Sequence, residues 1–269
     1  MCLRGWENYF ITRDHVFQEK NMSTDFSETG IPGLDSLLGG GIPSGRVVIV
    51  LGEPGAGKTT LCSLFLANGY TKYNESGVYV SLEESRDHLF REMTRFGINF
   101  AQAEKDLHFA FVDASPIRHI PNVVKAGSMT IGKKEFSLVS VIDSIKRSIA
   151  TVKAKRVVVD PISYLIFQYS NPAELRGALL DLVEALNETK ATVLLASELR
   201  QSGSLVRREI QMEEYVGHGT MIMQSIPVGK SLVRSIQVSK MRECEIDRQP
   251  RPYRITRDGI EVFPKETVF

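Results

Sequence analysis

Short apolar runs alternate with longer amphipathic segments along most of this chain of 269 residues. After its first residue, the run RVVIVL (46–51) contains no polar position, which is typical of a strand buried on both faces of a sheet. The segment SLVSVIDSIKRSIATVKA (137–154) instead repeats apolar residues every three or four positions, as a helix with one buried face does. The same criteria predict strands over 77–82, 106–114, 155–161 and 191–198, and helices over 58–73, 86–97 and 171–189.

The pattern changes towards the C-terminus. Two alternating runs flank Pro227–Lys230, and another pair flanks Asp258-Gly259, a dipeptide favoured in tight hairpins. We therefore predict an α/β fold of three layers, with a mostly parallel central sheet and an antiparallel C-terminal meander at one edge. Residues 115–137, which contain two prolines and two glycines, are predicted to form a long loop.

The alternating pattern indicates one domain over residues 22–269, preceded by an N-terminal extension over residues 1–21. The extension scatters charges among its apolar residues and lacks the apolar core of a signal peptide. We interpret it as a misassigned start or a disordered arm. The alternative is an arm that docks on a neighbouring subunit through aromatic side chains. Those side chains are Trp6, Phe10 and Phe17.

Composition narrows the class of protein. The net charge of +1 gives no global preference for nucleic acid, so any basic function must be local. The three cysteines, Cys2, Cys62 and Cys244, share no metal-ligand spacing and indicate neither a disulfide framework nor a zinc site. No apolar run reaches the roughly 18 residues of a membrane span. We expect a cytoplasmic protein with no membrane partner.

The segment GEPGAGKTT matches the phosphate-binding pattern G-x-x-x-x-G-K-[ST] and lies between a predicted strand and a predicted helix, as the pattern requires. Its glycines let backbone amides approach phosphate oxygens at the positive end of the helix dipole. Lys58 is expected to contact the β- and γ-phosphates, and Thr59 to ligate Mg²⁺. The candidate nucleotide-binding residues are Gly52, Glu53, Pro54, Gly55, Ala56, Gly57, Lys58, Thr59 and Thr60.

Carboxylates follow two other predicted strands, at the ends where open α/β sheets bind ligands. Asp160 ends KRVVVD and suits a second Mg²⁺ position, held through water; its alternative role is a helix cap. Glu83 and Glu84 follow GVYVSL, and either could orient or deprotonate the water that attacks a γ-phosphate. A pair of adjacent glutamates is otherwise typical of a solvated turn.

Two cations stand close together in SKMRE, which follows a predicted strand. Because side chains two apart in a strand point the same way, Lys240 and Arg242 are expected to face one place and Met241 the other side. Without further context, the pair is typical of an exposed strand end.

In this order, the motifs resemble the RecA superfamily of ATPases, and within it the KaiC-like branch in its single-domain, archaeal form. The resemblance covers roughly residues 25–260 and is carried by these segments, quoted in chain order: TGIPGLDSLLGGGIPSGRVVIVLGEPGAGKTTLCSLFLANG, VYVSLEES, DASPIR, KRVVVDPIS, ELRGALLDLVEAL, TVLLASE and SKMRE. It implies a RecA-like P-loop fold that binds ATP and Mg²⁺ and hydrolyses ATP in a regulatory or signalling role.

The resemblance also suggests what the two cations of SKMRE contact. Proteins of this family form rings, commonly hexamers, with nucleotide between neighbouring subunits. Lys240 and Arg242 would then reach across to the γ-phosphate bound by the adjacent subunit. Family members of the circadian clock carry two such domains and a Ser-Thr phosphoacceptor pair before the strand matching GTMIM. This chain lacks that pair, which leaves only Tyr215 and Thr220 as weak candidate acceptors.

Two other functions fit parts of the pattern. A paralogue that binds single-stranded DNA would use segments 164–171 and 199–211, where aromatic stacking and arginine–phosphate contacts are available. The residues concerned are Phe167, Tyr169, Arg200, Arg207 and Arg208. A scaffold that assembles on ATP, presents a surface to protein partners and turns over slowly needs the same nucleotide pocket. A small-molecule kinase is less well supported, because no Arg-rich lid segment is recognisable.

Overall fold

A large sheet organises the chain in the computed structural model, which describes residues 25–114, 138–200 and 210–268 and the backbone of residues 125–126 and 129–130. The strands in these ranges are β1 (Phe26–Ser27), β2 (Ile42–Pro43), β3 (Val47–Gly52), β4 (Gly77–Ser81), β5 (Phe109–Asp113), β6 (Lys125–Ala126), β7 (Met129–Thr130), β8 (Arg156–Asp160), β9 (Thr192–Glu198), β10 (Gly219–Val228), β11 (Ser231–Met241), β12 (Arg251–Thr256) and β13 (Gly259–Val262). The helices in the same ranges are α1 (Leu34–Leu37), α2 (Lys58–Tyr73), α3 (Arg86–Thr94), α4 (Phe100–Lys105), α5 (Leu138–Val152), α6 (Ser163–Ile166), α7 (Pro172–Asn187) and α8 (Met212–Val216).

Among the described residues, nine strands form one sheet in the order β13-β12-β11-β10-β3-β9-β8-β4-β5. Neighbouring strands from β10 to β5 run parallel, whereas β11, β12 and β13 continue the sheet antiparallel. The predicted parallel sheet with an antiparallel meander at one edge is therefore confirmed. In β3, Val48 and Val50 face one apolar cluster while Val47, Ile49 and Leu51 face the other, which buries the strand completely.

Helices cover both faces of the sheet. Leu61 and Phe65 of α2 and Leu89 of α3 belong to the first apolar cluster. Ile145 of α5 and Leu182 of α7 belong to the second. These two clusters make the fold a three-layer sandwich, the arrangement expected when both faces of a parallel sheet are apolar.

The structure corrects the boundaries of one predicted strand. The strand expected over 106–114 begins only at Phe109, because the preceding residues follow helix α4, which was not predicted. Leu107, at the end of that helix, has φ 59°. Two short strands, β6 and β7, lie within the segment predicted as a long loop; the predicted extension over 1–21 lies outside the described residues. No helix among the described residues is long and apolar enough to cross a membrane.

The topology brings the candidate residues to opposite ends of the strands. Gly52 pairs with Glu198, and Ser81 pairs with Asp160, so the segments that follow β3, β9, β4 and β8 lie together at the carboxyl ends of the parallel strands. Because β11 is antiparallel to β10, its last residue, Met241, lies at the amino ends of these strands, paired with the first residue of β10.

Candidate functional site

The phosphate-binding loop, residues 52–60, connects β3 to α2. Its Gly55 and Gly57 have φ of 77° and 92°, conformations that other residues rarely adopt. A side chain on Gly57 would also lie 2.6 Å from Cδ1 of Ile255. The hydroxyl of Tyr253 donates a hydrogen bond to the carbonyl of Ala56. The meander at the sheet edge thus supports the loop, and Gly57 is the N-cap of α2 without a side-chain cap, which leaves the helix amides available to an anion.

Lys58 spans the inside of this loop. Its Nζ donates hydrogen bonds to the carbonyl oxygens of Gly52 (2.9 Å) and Glu53 (3.1 Å). Burial lowers the pKa of Lys58, while the carboxylates of Asp160 and Glu198 act in the opposite direction. The ammonium group therefore lies near carbonyl and carboxylate oxygens at the carboxyl ends of the parallel strands.

Thr59 and Asp160 meet next to this lysine. The hydroxyl of Thr59 donates to Oδ2 of Asp160 (2.7 Å), and the hydroxyl of Tyr79 donates to the same oxygen (2.7 Å). Burial raises the pKa of Asp160, and these two hydrogen bonds oppose that effect. The N-cap of α6 is Ile162, so Asp160 is not a helix cap. A hydroxyl and a carboxylate in contact are hard oxygen ligands of the type that suits Mg²⁺.

The two glutamates after β4 have different surroundings. The hydroxyl of Ser81 accepts hydrogen bonds from the backbone amides of Glu83 (3.3 Å) and Glu84 (2.8 Å), which orders the turn. The exposed Glu83 accepts a hydrogen bond from the hydroxyl of Tyr164 (3.1 Å), and its charge acts on both Lys58 and Asp160.

Glu84 is instead half-buried and lies closer to other acidic groups. Burial raises its pKa, and Glu92, Asp160 and Glu83 raise it further. Its Oε2 is buried and has no hydrogen-bond partner among the described residues. Of the two carboxylates, Glu83 is therefore the solvent-accessible one, and its charge acts on the phosphate-binding lysine.

Lys240 and Arg242 lie at the opposite ends of the strands, beside the first residues of β10 and β3. The backbone amide of Arg242 donates to the carbonyl of His218, and the amide of His218 donates to the carbonyl of Val47, the first residue of β3. The phosphate-binding loop begins at Gly52, the last residue of this six-residue strand, and about 17 Å of β3 separates Gly52 from Val47. The chain does not bring the two cations to its own loop.

The two cations also differ in their local contacts. Nζ of Lys240 donates to the carbonyls of Gly217 (2.6 Å) and Glu214 (3.1 Å), at the end of α8. The side chain of Arg242 is exposed, and Met241 between them is buried in the first apolar cluster. Burial lowers the pKa of Lys240, and Arg242 lowers it further.

A family model described as the KaiC ATPase matches residues 27–267 of this chain. The chain belongs to the KaiC family of ATPases. It is 32% identical over 238 residues to the circadian clock oscillator protein KaiC of Parathermosynechococcus lividus, a match that covers 88% of this chain and 42% of that protein. KaiC of Synechococcus elongatus is 30% identical over 237 residues, with 88% and 44% covered. This KaiC-family chain spans less than half the length of these curated relatives.

A solved structure supports the same assignment. The crystal structure of a KaiC-like protein from the hyperthermophilic archaeon Pyrococcus horikoshii matches this chain with a TM-score of 0.75 and 31% identity. The match covers 90% of this chain and 100% of that one. The KaiC-like relationship and the RecA-type α/β fold predicted from the motifs are both confirmed.

The segments considered for single-stranded DNA are only partly described in this KaiC-family chain. Phe167 is 67% exposed. Arg200 forms a hydrogen-bonded ion pair with the fully buried Glu213 (2.9 Å), which also accepts from Ser197 (2.8 Å). Arg207 and Arg208 lie outside the described residues. Arg200 is thus held by its own chain rather than presented alone to a phosphate.

The two candidate phosphoacceptors differ in access. Tyr215 is 60% exposed, whereas Thr220 is buried at the start of β10. Burial makes Thr220 an unsuitable acceptor for phosphate.

Three tyrosines that contact the candidate site were missed from the sequence: Tyr79, Tyr164 and Tyr253. Tyr79 carried a signal, because a hydroxyl in a strand that is otherwise apolar requires a buried partner. The other two partners are set by how α6 and the C-terminal meander pack, which local sequence does not encode.

Proposed function

We propose that this KaiC-family chain binds ATP with Mg²⁺ at residues 52–60 and hydrolyses it at an interface between copies of itself. The observation that carries this proposal is the convergence of Lys58, Thr59 and Asp160 at the carboxyl edge of the parallel strands. The loop glycines and the uncapped start of α2 would bind the phosphates through backbone amides.

The proposed magnesium ligands fit the ion by the chemistry of their oxygens. The Thr59 hydroxyl would ligate Mg²⁺ directly, and the Asp160 carboxylate would hold it through water. An ion held by these two residues would supply positive charge that offsets the negative charge of the phosphates. Lys58 would leave the carbonyls of Gly52 and Glu53 for phosphate oxygens, which are stronger acceptors because they are charged.

We assign the activation of water to Glu83. Its carboxylate would accept a proton from the water whose oxygen bonds to the γ-phosphorus, while the bond from that phosphorus to the bridging oxygen breaks. The products are ADP and inorganic phosphate. Two observations support Glu83 over Glu84: its charge acts on both Lys58 and Asp160, and the Tyr164 hydroxyl orients it.

Lys240 and Arg242 would complete the site of a neighbouring chain. They lie at the ends of the strands opposite to the phosphate-binding loop, so a head-to-tail arrangement would place the cations of one copy near the loop of the next. Head-to-tail interfaces either close into rings or continue as filaments, and we propose a ring of six copies. The cations would stabilise charge on the transferred phosphoryl group. We propose a regulatory or signalling role for the assembly.

The proposal is tested by molar mass from light scattering, with and without ATP·Mg²⁺, together with phosphate release. We expect the wild-type chain to assemble with nucleotide and to release phosphate, and Lys58→Ala to do neither. A wild-type chain that stays monomeric while it binds and hydrolyses ATP would contradict the interface. A wild-type chain that binds ATP and assembles without releasing phosphate would favour the slow-turnover scaffold.

A further inference from the structure

Tyr79 places a hydroxyl group in the middle of the apolar core. It is the central residue of β4, all of whose residues are buried, and it is 2% exposed. A buried hydroxyl without a hydrogen-bond partner is unfavourable, so a partner inside the protein is expected. That partner is Oδ2 of Asp160, at 2.7 Å.

The position of this hydroxyl is determined by the packing of the ring. The ring of Tyr79 stacks on that of Phe111, with centroids 6.1 Å apart and an interplanar angle of 9°. Tyr79 also pairs with Phe111 across β4 and β5 and with Val158 across β4 and β8. Two flanking strands and the first apolar cluster therefore hold the ring in one orientation.

The two donors to Asp160 come from different directions. Thr59 approaches from the first turn of α2, and Tyr79 approaches from the neighbouring strand; both donate to Oδ2. A carboxylate with two donors on one oxygen cannot rotate freely about its last bond. These two hydrogen bonds therefore fix the orientation of the whole carboxylate, including its other oxygen, Oδ1.

We propose that Tyr79 is a positioning residue for the magnesium site, which acts by orienting the Asp160 carboxylate. The inference rests on the proposed function, because it assumes that Asp160 holds Mg²⁺. Residues that hydrogen-bond to metal-holding groups typically contribute a factor of about 10 to 100 in metal affinity. The effect of the Tyr79 hydroxyl is therefore on Mg²⁺ rather than on the nucleotide itself.

The test is Tyr79→Phe, which removes one oxygen and keeps the ring. Binding of a fluorescent ATP analogue is measured while Mg²⁺ is titrated, and again in EDTA. We expect the half-saturating Mg²⁺ concentration to rise at least about tenfold, with binding in EDTA unchanged. The matched control is Tyr70→Phe, whose hydroxyl also donates to a carboxylate, that of Asp106 (3.0 Å), but on the exposed side of α2. The control should leave both measurements unchanged.

A second background separates positioning from a general loss of structure. In Asp160→Ala, the oxygen that accepts from Tyr79 is absent, so adding Tyr79→Phe should not change the Mg²⁺ dependence further. A similar additional loss in both backgrounds would overturn the proposal, as would an unchanged Mg²⁺ dependence in Tyr79→Phe. If the wild-type chain does not bind the ATP analogue at all, the proposed function fails instead.

Discussion

The ammonium group of Lys240 donates a hydrogen bond of 2.6 Å to the carbonyl of Gly217, just beyond the end of α8. A second bond, to the carbonyl of Glu214, holds it on the same helix end. Any contact of Lys240 with a neighbouring phosphate therefore replaces two bonds to neutral carbonyls by bonds to a charged acceptor, which are stronger. The same exchange applies to Lys58 within the loop, so each proposed phosphate-binding lysine has an internal partner before nucleotide arrives.

Mixing two inactive variants tests whether Lys240 and Arg242 act on a neighbour. The double variant Lys240→Ala/Arg242→Ala should bind ATP but release phosphate about a thousandfold more slowly, because the transition-state charge is less stabilised. Lys58→Ala should not bind ATP but should still present both cations. A mixture of the two should regain activity, since one copy contributes the loop and the other contributes the cations.

The control mixture combines Lys58→Ala with Glu83→Gln. Both residues belong to the same site of the same chain, so no pairing of these copies restores a complete site. If mixed assemblies form and the first mixture regains no more activity than this control, the two cations do not act between chains.

The two glutamates after β4 are predicted to contribute unequally. Glu83→Gln keeps the size of the side chain and can still accept from Tyr164, but it cannot take a proton from water. We expect phosphate release to fall by about a hundredfold or more while ATP binding is retained. Glu84→Gln should reduce the rate less than about tenfold. Single-turnover phosphate release distinguishes the two, and the reverse order of effects would assign the base to Glu84.

The ion pair between Arg156 and Glu75 is predicted to contribute strongly to stability. Arg156 is 1% exposed, and its guanidinium donates to Glu75 (2.7 Å) and to the carbonyl of Phe65 (2.9 Å). Removal of one partner of a buried pair leaves an uncompensated charge, so Glu75→Ala should reduce the free energy of unfolding by about 3–5 kcal/mol. Urea denaturation measures the loss.

A surface ion pair provides the control for that measurement. Glu188 pairs with Lys146 at 2.9 Å, and their side chains are 63% and 40% exposed. Glu188→Ala should change the free energy of unfolding by less than about 1 kcal/mol. Equal losses in the two variants would show that the contact with Glu75 is no more stabilising than a surface pair.

His218 should make the fold less stable in mild acid. Its Nδ1 accepts a hydrogen bond from the backbone amide of Val47 (3.0 Å), which requires that nitrogen to be unprotonated. Burial lowers the pKa of His218 below its ordinary 6.5; Arg46, Arg242 and Lys240 lower it further, and Glu243 opposes them. Below about pH 6.5 the unfolded chain therefore binds more protons than the folded one, and the free energy of unfolding falls as pH decreases.

The variant His218→Asn tests this assignment. The Asn oxygen can accept from Val47 but does not titrate, so the decrease in the free energy of unfolding between pH 7 and about pH 5.5 should become smaller. Urea denaturation at both pH values measures it. An identical decrease in both proteins would attribute the acid sensitivity to other groups.

Local sequence was sufficient for much of the fold. Helix α2 spans Lys58–Tyr73, as predicted, and Asn171 caps α7 through its side chain, a role typical of an Asn that precedes a proline at the first helical position. Helix α4 was missed because its six residues are too few to display a helical repeat. The assignment of the α/β class depended on short apolar runs that alternate with amphipathic helices, because strands in the middle of a parallel sheet are buried on both faces.

The sequence by itself determined the elements whose physical cause is local. The glycines of the phosphate-binding loop, the helix that follows it and the strand that ends at Asp160 depend on backbone freedom, apolar spacing and chain punctuation within a few residues. The family assignment followed from these motifs in their order.

Only the tertiary structure decided how these elements meet. Strand order places Tyr79 beside Asp160, although the two are separated by 81 positions. The antiparallel direction of β11 puts Lys240 and Arg242 at the ends of the strands opposite to the phosphate-binding loop. The packing of α3 and α6 around the turn after β4 gives Glu83 and Glu84 different environments. The physical reason is that contacts between distant positions depend on which strands pair and in which direction, a choice made by the burial of the whole sheet rather than by any one segment.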